Sequence, residues 1–177
     1  MDEIHASDTS VHRDSNKTIS LDYRVIFRYA RLLNLMPYDV IYDIGCGTGR
    51  PLCVFARYHL RHCIGIEFNS VAAEIAKQNA ARLVGKRSAI TIVQDDAANA
   101  NYEEGTVFWL YHPFGQPTLA AVLKRIHESV LATPRPVRFC YVNPQCEEAF
   151  SACGWLSEYK DFRPVLDPSC KASFWRN

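Results

Sequence analysis

The sequence predicts an α/β protein, a three-layer sandwich in which helices cover both faces of a largely parallel sheet. Three observations carry that prediction. Short runs rich in β-branched and aromatic residues alternate with helical stretches along most of the 177 residues. The first run, Val40-Ile41-Tyr42-Asp43-Ile44, enters a loop with three alternating glycines, Gly45, Gly47 and Gly49, followed by a helix with Pro51 in its first turn. Strand, glycine loop and helix in that order form the unit with which open α/β sheets bind nucleotide-like ligands at the carboxyl ends of their strands. The strand-like runs number seven, with no internal repeat, which suits one sheet in a chain long enough for a sizeable core.

Each element has a local reason. Residues 1–17 are polar with scattered charge and no apolar period, so they read as a mobile tail ahead of a domain spanning 18–177. Ser20 is placed to cap a helix through about Leu35, with Asp22 in its first turn. Val25, Tyr29, Leu32, Leu33 and Met36 fall near one face of that helix. Arg24, Arg28 and Arg31 fall near the opposite face, which reads as solvated because three arginines are few. Pro37 stops the helix and delivers the chain to the first strand. Cys63 to Glu67 is a second strand, and Asn69 or Ser70 caps a helix to about Val84. Ile90 to Gln94 is the third strand. Thr106 to Tyr111 is the fourth, apolar enough to be buried on both faces. A helix from about Thr118 to Leu131 carries Leu119, Val122, Leu123, Ile126 and Val130 on one face. Val137 to Val142 is the fifth strand, and Gln145 to Cys153 a short helix with Gly154 as its stop. Trp155 to Phe162 and Ala172 to Trp175 are the last two strands, joined by a turn rich in Pro164, Asp167, Pro168 and Ser169. A helix is expected in every connection among the first six strands.

Composition removes several classes. A formal net charge of +1 gives no global case for nucleic acid or an anionic membrane. No apolar run approaches the roughly 20 residues of a membrane span, and the start of the chain lacks the basic and apolar regions of a secretory signal. The seven cysteines are odd in number and never spaced Cys-x-x-Cys, so zinc or a disulfide framework is not expected. Reduced core thiols fit a cytoplasmic protein. His59 and His62 have no carboxylate nearby in sequence and read as a solvated turn.

The glycine loop narrows the ligand. A dinucleotide fingerprint puts its third glycine three residues after the second, where this chain has Arg50. Asp43, just before the loop, would also repel a pyrophosphate. Both points argue against a nicotinamide dehydrogenase. The stretch Asp43-Ile44-Gly45-Cys46-Gly47-Thr48-Gly49 resembles motif I of the class I S-adenosylmethionine-dependent methyltransferases. That resemblance implies a Rossmann-like, seven-stranded, mostly parallel sheet with an antiparallel C-terminal hairpin. It implies S-adenosylmethionine as cofactor, with Gly45, Cys46, Gly47 and Gly49 packed against it and Asp43 orienting its amino-acid end.

Two further strand ends support an adenosyl ligand. Glu67 lies 18 positions beyond Gly49, near the distance at which an acid meets a ribose hydroxyl in nucleotide-binding α/β domains. After the third strand come Asp95, Asp96 and Ala97. The family spacing favours the Asp96 carboxylate and the Ala97 amide for the adenine edge, with Asp95 as the alternative. His112-Pro113-Phe114-Gly115 follows the fourth strand at the family's motif IV position and resembles an Asn-Pro-Phe-Gly signature, with histidine in place of the usual first residue. The resemblance puts His112, Pro113 and Phe114 against the methyl acceptor. A neutral imidazole near pH 7 suits a general base. Thr18 and Tyr23 are candidates for closing over the site. The expected activity is methyl transfer to a nucleophilic nitrogen or oxygen. The acceptor is a protein or a small molecule, and protein lysine comes first by analogy with compact enzymes of this plan. A non-catalytic partner protein of the same fold is the rival class.

Overall fold

A computed structural model describes residues 21–162 and 171–177. In chain order the elements are α1 (Tyr23–Leu32), β1 (Val40–Ile44), α2 (Arg50–Phe55), β2 (His62–Glu67), α3 (Ser70–Arg82), β3 (Ile90–Gln94), β4 (Val107–Tyr111), α4 (Gln116–Ala132), β5 (Arg138–Val142), α5 (Glu147–Ala152), β6 (Ser157–Phe162) and β7 (Ala172–Arg176). The seven strands form one sheet in the order β3-β2-β1-β4-β5-β7-β6. The first five are parallel to one another. β7 runs antiparallel between β5 and β6, so the closing hairpin expected from sequence is present with its second strand inserted toward the centre.

The centre of the sheet is dry on both sides, which is why β1 reads as continuous apolar sequence. Alternate residues serve the two layers. Val40, Tyr42 and Ile44 pack with Phe108, Leu110, Phe139 and Tyr141 against α4 and α5. Ile41 packs with Val107, Trp109, Cys140 and Phe174 against α1 and α2. β3 is an edge strand, and its Thr91 and Val93 are exposed.

The structure departs from the sequence expectation in three places. Asp22 is the N-cap of α1 and not part of its first turn, because its Oδ1 accepts from the Arg24 N–H at 2.7 Å; the expected cap Ser20 lies outside the described residues. α1 also ends at Leu32, short of Leu35, with Asn34 turning to a φ of 48°. Its buried face is Ile26, Tyr29, Ala30 and Leu33, while Val25, Leu32 and Met36 are half-buried. The expected exposed arginines, Arg24, Arg28 and Arg31, are exposed. Third, no helix joins β3 to β4; residues 95–106 form turns. Short polar side chains there bond to neighbouring backbone and compete with a helix. Asp96 Oδ1 accepts from the Ala98 N–H and Asn101 Oδ1 from the Glu103 N–H. The turns are anchored from outside. Tyr102 donates its hydroxyl to the Ala97 carbonyl at 2.8 Å. The Arg135 guanidinium donates to the carbonyls of Tyr102 and Gly105, both at 2.7 Å, and to those of Ser129 and Thr133. Arg135 thereby supplies the donors that this backbone does not find in regular structure. The turn expected around Pro164 to Ser169, Cys170 and the 1–17 tail also lie outside the described residues.

The opposite end of the sheet is closed by a buried ion pair. Asp39, fully buried, receives both 2.6 and 2.7 Å hydrogen bonds from Arg138, whose guanidinium also donates to the carbonyls of Leu33 and Asn34. It fixes the end of α1 to β1 and β5, and leaves the carboxyl ends of the strands as the end where loops diverge. After β1 the chain turns into α2 on one face; after β4 it turns into α4 on the other. The crevice between those two loops is the switch point of the sheet, the place where open α/β sheets take their ligands.

Candidate functional site

The glycine loop is tied down on three sides. Toward β2, the N–H groups of Gly45 and Cys46 both donate to the Ile66 carbonyl, at 2.9 and 3.0 Å. Toward α3, Gly49 caps α2 with φ +79°, and a Cβ there would stand 3.2 Å from the Ala76 Cβ. Toward β4, Gly45 has φ +73°, and a Cβ there would stand 2.4 Å from the Pro113 Cβ. The loop is therefore in contact with Pro113, on the other side of the switch point. Glycine at 45 answers both a backbone angle and a close approach. Cys46 is buried within this loop. Burial first, and then the charges of Asp43 and Glu67, hold its thiol well above the usual range, so it packs and is no thiolate nucleophile.

The strand-end acids converge from three neighbouring strands. Asp43 on β1 is only 2% exposed, and its Oδ2 has no hydrogen-bond partner among the described residues. Burial, with Glu67 adding to it, raises its carboxyl well above the usual range. Glu67 at the end of β2 accepts from the Gly47 N–H at 2.7 Å through Oε2 and from the Asn69 N–H at 2.8 Å through Oε1. It thus holds the glycine loop and the start of α3 together, and each oxygen keeps a further lone pair. The Asp95 N–H donates to the Glu67 carbonyl at 3.1 Å, which brings the β3 end alongside. There the acids fold onto their own turn. Asp95 Oδ1 accepts from the Asp96 N–H, while Asp96 accepts from the Ala98 N–H and from Asn99 Nδ2. Ala97, within that turn, is buried.

Across the crevice, the three residues of the β4 loop divide. His112 sits in the left-handed region at φ 38°, a strained position of the kind that collects at functional sites. Its Nδ1 lies 2.9 Å from the Tyr141 hydroxyl, and partial burial lowers its pKa, which favours the neutral ring. Pro113 touches Gly45. Phe114 is 7% exposed and packed in the core with α4, so its ring offers little surface at the mouth.

The sequence reading missed Tyr141. It is fully buried on β5, 29 residues from His112, and only strand adjacency brings the two together. It gave no role to Asn143, which ends the fifth strand and repeats the His112 arrangement one strand along. Asn143 has φ 49° directly before Pro144, as His112 does before Pro113. Two X-Pro dipeptides at neighbouring strand ends were a visible signal. Tyr23 is half-exposed with the Arg50 guanidinium 4.9 Å over its ring, and it lines a shallow groove of about 400 Å³ with Phe27, Cys53, Val54, Arg57 and Leu83. Thr18 lies outside the described residues. Among those residues no group of His, Cys, Asp and Glu is placed to hold a metal, and no helix is long and apolar enough to cross a membrane. His62 bonds to Thr91 through Nε2 at 2.8 Å.

Comparison with known proteins follows the same outline. A family model described as a methyltransferase domain matches residues 41–132, from the second residue of β1 to the end of α4. No curated protein matches the chain in sequence. Solved structures do resemble it. One is an RNA methyltransferase from Salinibacter ruber bound to S-adenosyl-L-homocysteine: 20% identity, TM-score 0.62, covering 89% of this chain and 92% of that one. A second is magnesium protoporphyrin IX methyltransferase from Synechocystis PCC 6803 with S-adenosylmethionine bound: 12% identity, TM-score 0.64, covering 86% and 77%. A third is precorrin 8w decarboxylase from Methanobacterium thermoautotrophicum: 16% identity, TM-score 0.63, covering 90% and 91%. At these identities the likeness is one of fold, shared by proteins with unrelated acceptors.

Proposed function

The chain belongs to the methyltransferase-domain family, the class I S-adenosylmethionine-dependent methyltransferases, and from that premise we propose how its own residues serve a methyl transfer to a nucleophilic nitrogen or oxygen. The observation that carries the assignment is the unpartnered Oδ2 of Asp43. A buried acceptor without a donor costs about 1–3 kcal/mol, and a cationic ammonium at the amino-acid end of the cofactor supplies the missing partner. The cofactor brings the electrophilic methyl group, so the protein's work is to orient, exclude water and manage protons.

Gly45, Gly47 and Gly49 let the ligand lie against bare backbone, with Cys46 packed behind them. Asp43 holds the ammonium. Glu67, with a lone pair left on each oxygen, accepts from the two ribose hydroxyls. Asp96 and the Ala97 amide take the adenine edge; both Asp96 oxygens already serve their own turn, so its contact uses the remaining lone pairs. His112 and Pro113 border the acceptor, and Phe114 supports their loop from the core. The free thiols of the described cysteines support a reducing, cytoplasmic setting. Protein lysine is the first acceptor to test, and its support is analogy with small enzymes of this plan.

Titration calorimetry with S-adenosylmethionine is expected to show one site per chain. No binding would sink the enzyme reading and leave a non-catalytic partner protein. Labelled methyl transfer into extract of cells lacking this protein then separates a protein band from a small-molecule acceptor.

A further inference from the structure

Going beyond that reading, we propose that the outer face of α1, α2 and the loop after α3 binds single-stranded nucleic acid, with phosphates on its arginines and a base on the exposed ring of Phe27. The formal net charge of +1 conceals this face because the charge is segregated. α1 and α2 carry no acid, and α3 carries only Glu74. The same elements hold Arg31 on α1, Arg50 at the start of α2, Arg57 just past its end and Arg82 at the end of α3, with Lys86 and Arg87 in the loop that follows. Among the described residues none of these cations pairs with a carboxylate. Arg31 lies one turn on from Phe27 and two from Tyr23, so the arginine stripe of α1 continues into the aromatic one. Arg57 spans from α2 to the loop after α3, where its Nη1 lies 3.8 Å from the Cβ position at Gly85.

The cations border a groove, and the groove has aromatic walls. Tyr23 and Phe27, 49% and 38% exposed, line the hollow of about 400 Å³ together with Arg57. A second hollow of about 360 Å³ continues from it past Arg50 and Arg82 to Thr48. Thr48 belongs to the glycine loop, and its carbonyl accepts from Asn79 Nδ2 on α3 at 3.0 Å. The groove therefore runs to the rim of the proposed cofactor site. Arginine forks match phosphate oxygens, and exposed rings beside them stack on bases of any sequence. That pairing selects the partner. An anionic bilayer would meet the cations, but a flat surface does not enter a groove to reach the rings. An acidic peptide brings carboxylates and no base to stack. A duplex keeps its bases stacked on one another and leaves the Phe27 ring uncovered.

Fluorescence anisotropy of the full chain with a labelled single-stranded RNA of mixed sequence, about ten nucleotides long, tests this across a salt series. The logarithm of the affinity is expected to fall linearly with the logarithm of salt, with a slope of about −2 to −3 for three or four neutralised phosphates. Arg57→Gln and Arg82→Gln should each make that slope shallower by about 0.7 and weaken binding about fivefold at 0.1 M salt. Phe27→Ala, at an exposed position, should weaken binding about tenfold and leave the slope unchanged, because stacking releases no counterion. Arg125→Gln, on α4 across the sheet, should change neither. Absence of binding at low salt overturns the proposal, and so does an unchanged slope in both arginine variants or an equal loss in Arg125→Gln. Equal affinity for a duplex, for phosphatidylserine vesicles or for polyglutamate at the same salt overturns the choice of partner. The measurement needs no cofactor, so it stands apart from the calorimetry: absent cofactor binding removes the enzyme reading, whereas absent RNA binding removes only this proposal.

Discussion

The two sides of the switch point are built differently. On the side we propose for the cofactor, the ends of β1, β2 and β3 carry acids, and backbone N–H groups from the adjoining loops meet Glu67 and Asp96. On the side we propose for the acceptor, β4 and β5 end in X-Pro turns with left-handed residues, and a side chain from one strand meets a side chain from the other. In that reading the first half meets a ligand of fixed structure through backbone geometry. The second is set by a few replaceable side chains on the same scaffold. Solved structures with this outline act on acceptors as different as RNA and a porphyrin, which is what a fixed half joined to a variable half would produce.

The contact that joins the halves gives the largest expected effect. Gly45→Val adds a branched side chain where even a Cβ would meet the Pro113 Cβ at 2.4 Å, and it does so at φ +73°. Positive φ in a β-branched residue costs of order 1–2 kcal/mol and overpacking another 1–3. We expect a stability loss of roughly 3 kcal/mol by denaturant unfolding, and no cofactor binding by calorimetry. A variant with wild-type affinity would show that the two loops are not mechanically coupled. Asp43→Asn comes next and should split stability from function. Asparagine fills the same buried position with a side chain that has no proton to lose, so the melting temperature of the ligand-free protein should hold or rise. Cofactor affinity should fall by about 2 kcal/mol or more, some 30-fold, because an ammonium loses its carboxylate. A variant that binds normally would remove Asp43 from the site.

The same carboxyl sets a pH dependence that can be signed. The folded-state pKa of Asp43 is raised above its unfolded value by burial and then by Glu67. Between those two values the folded, ligand-free protein holds the extra proton, so its stability falls as pH rises through that window. Binding of a cation needs the carboxylate. Apparent affinity should therefore rise with pH across the window, by at most about tenfold per unit (about 1.4 kcal/mol), and level off above the raised value. Calorimetry in two buffers of different ionisation enthalpy should show proton release on binding. A pH-independent affinity with no proton release would mean that Asp43 is already ionised or lies away from the ligand.

The difference between the halves also decides what could be read from the chain. Gly45, Gly47, Gly49 and Glu67 were legible because backbone geometry fixes residue type at fixed spacing. The strands were legible from their β-branched runs. The 95–106 segment misled because the plan of alternating elements called for a helix, while its Asp and Asn side chains satisfy the backbone locally and Arg135 holds it from 30 residues beyond Gly105. Tyr141 could not be read at all. On the sequence it is one apolar position in a buried strand, and its contact with His112 depends on β4 lying beside β5. The cap of α1 went to the wrong residue because Ser20 and Asp22 are both good caps two positions apart, and only the hydrogen bond to Arg24 distinguishes them.

Phe114 offers the smallest effect and the sharpest test of where the acceptor half begins. The family resemblance sets its ring against the acceptor, yet the ring is 7% exposed and packs with the α4 side of the core. Phe114→Leu removes part of that packing and keeps an apolar side chain of similar reach. If the ring belongs to the core, unfolding should show a loss of about 1 kcal/mol, while label uptake by the acceptor in extract stays within about twofold. If the ring stacks on the acceptor, stability should hardly move and uptake should fall. The first outcome would confine the acceptor surface to His112 and Pro113 and to the Asn143 turn beside them. In that case specificity would rest on two adjacent X-Pro dipeptides, and exchanging His112 for asparagine would alter which acceptors are taken without disturbing the cofactor half.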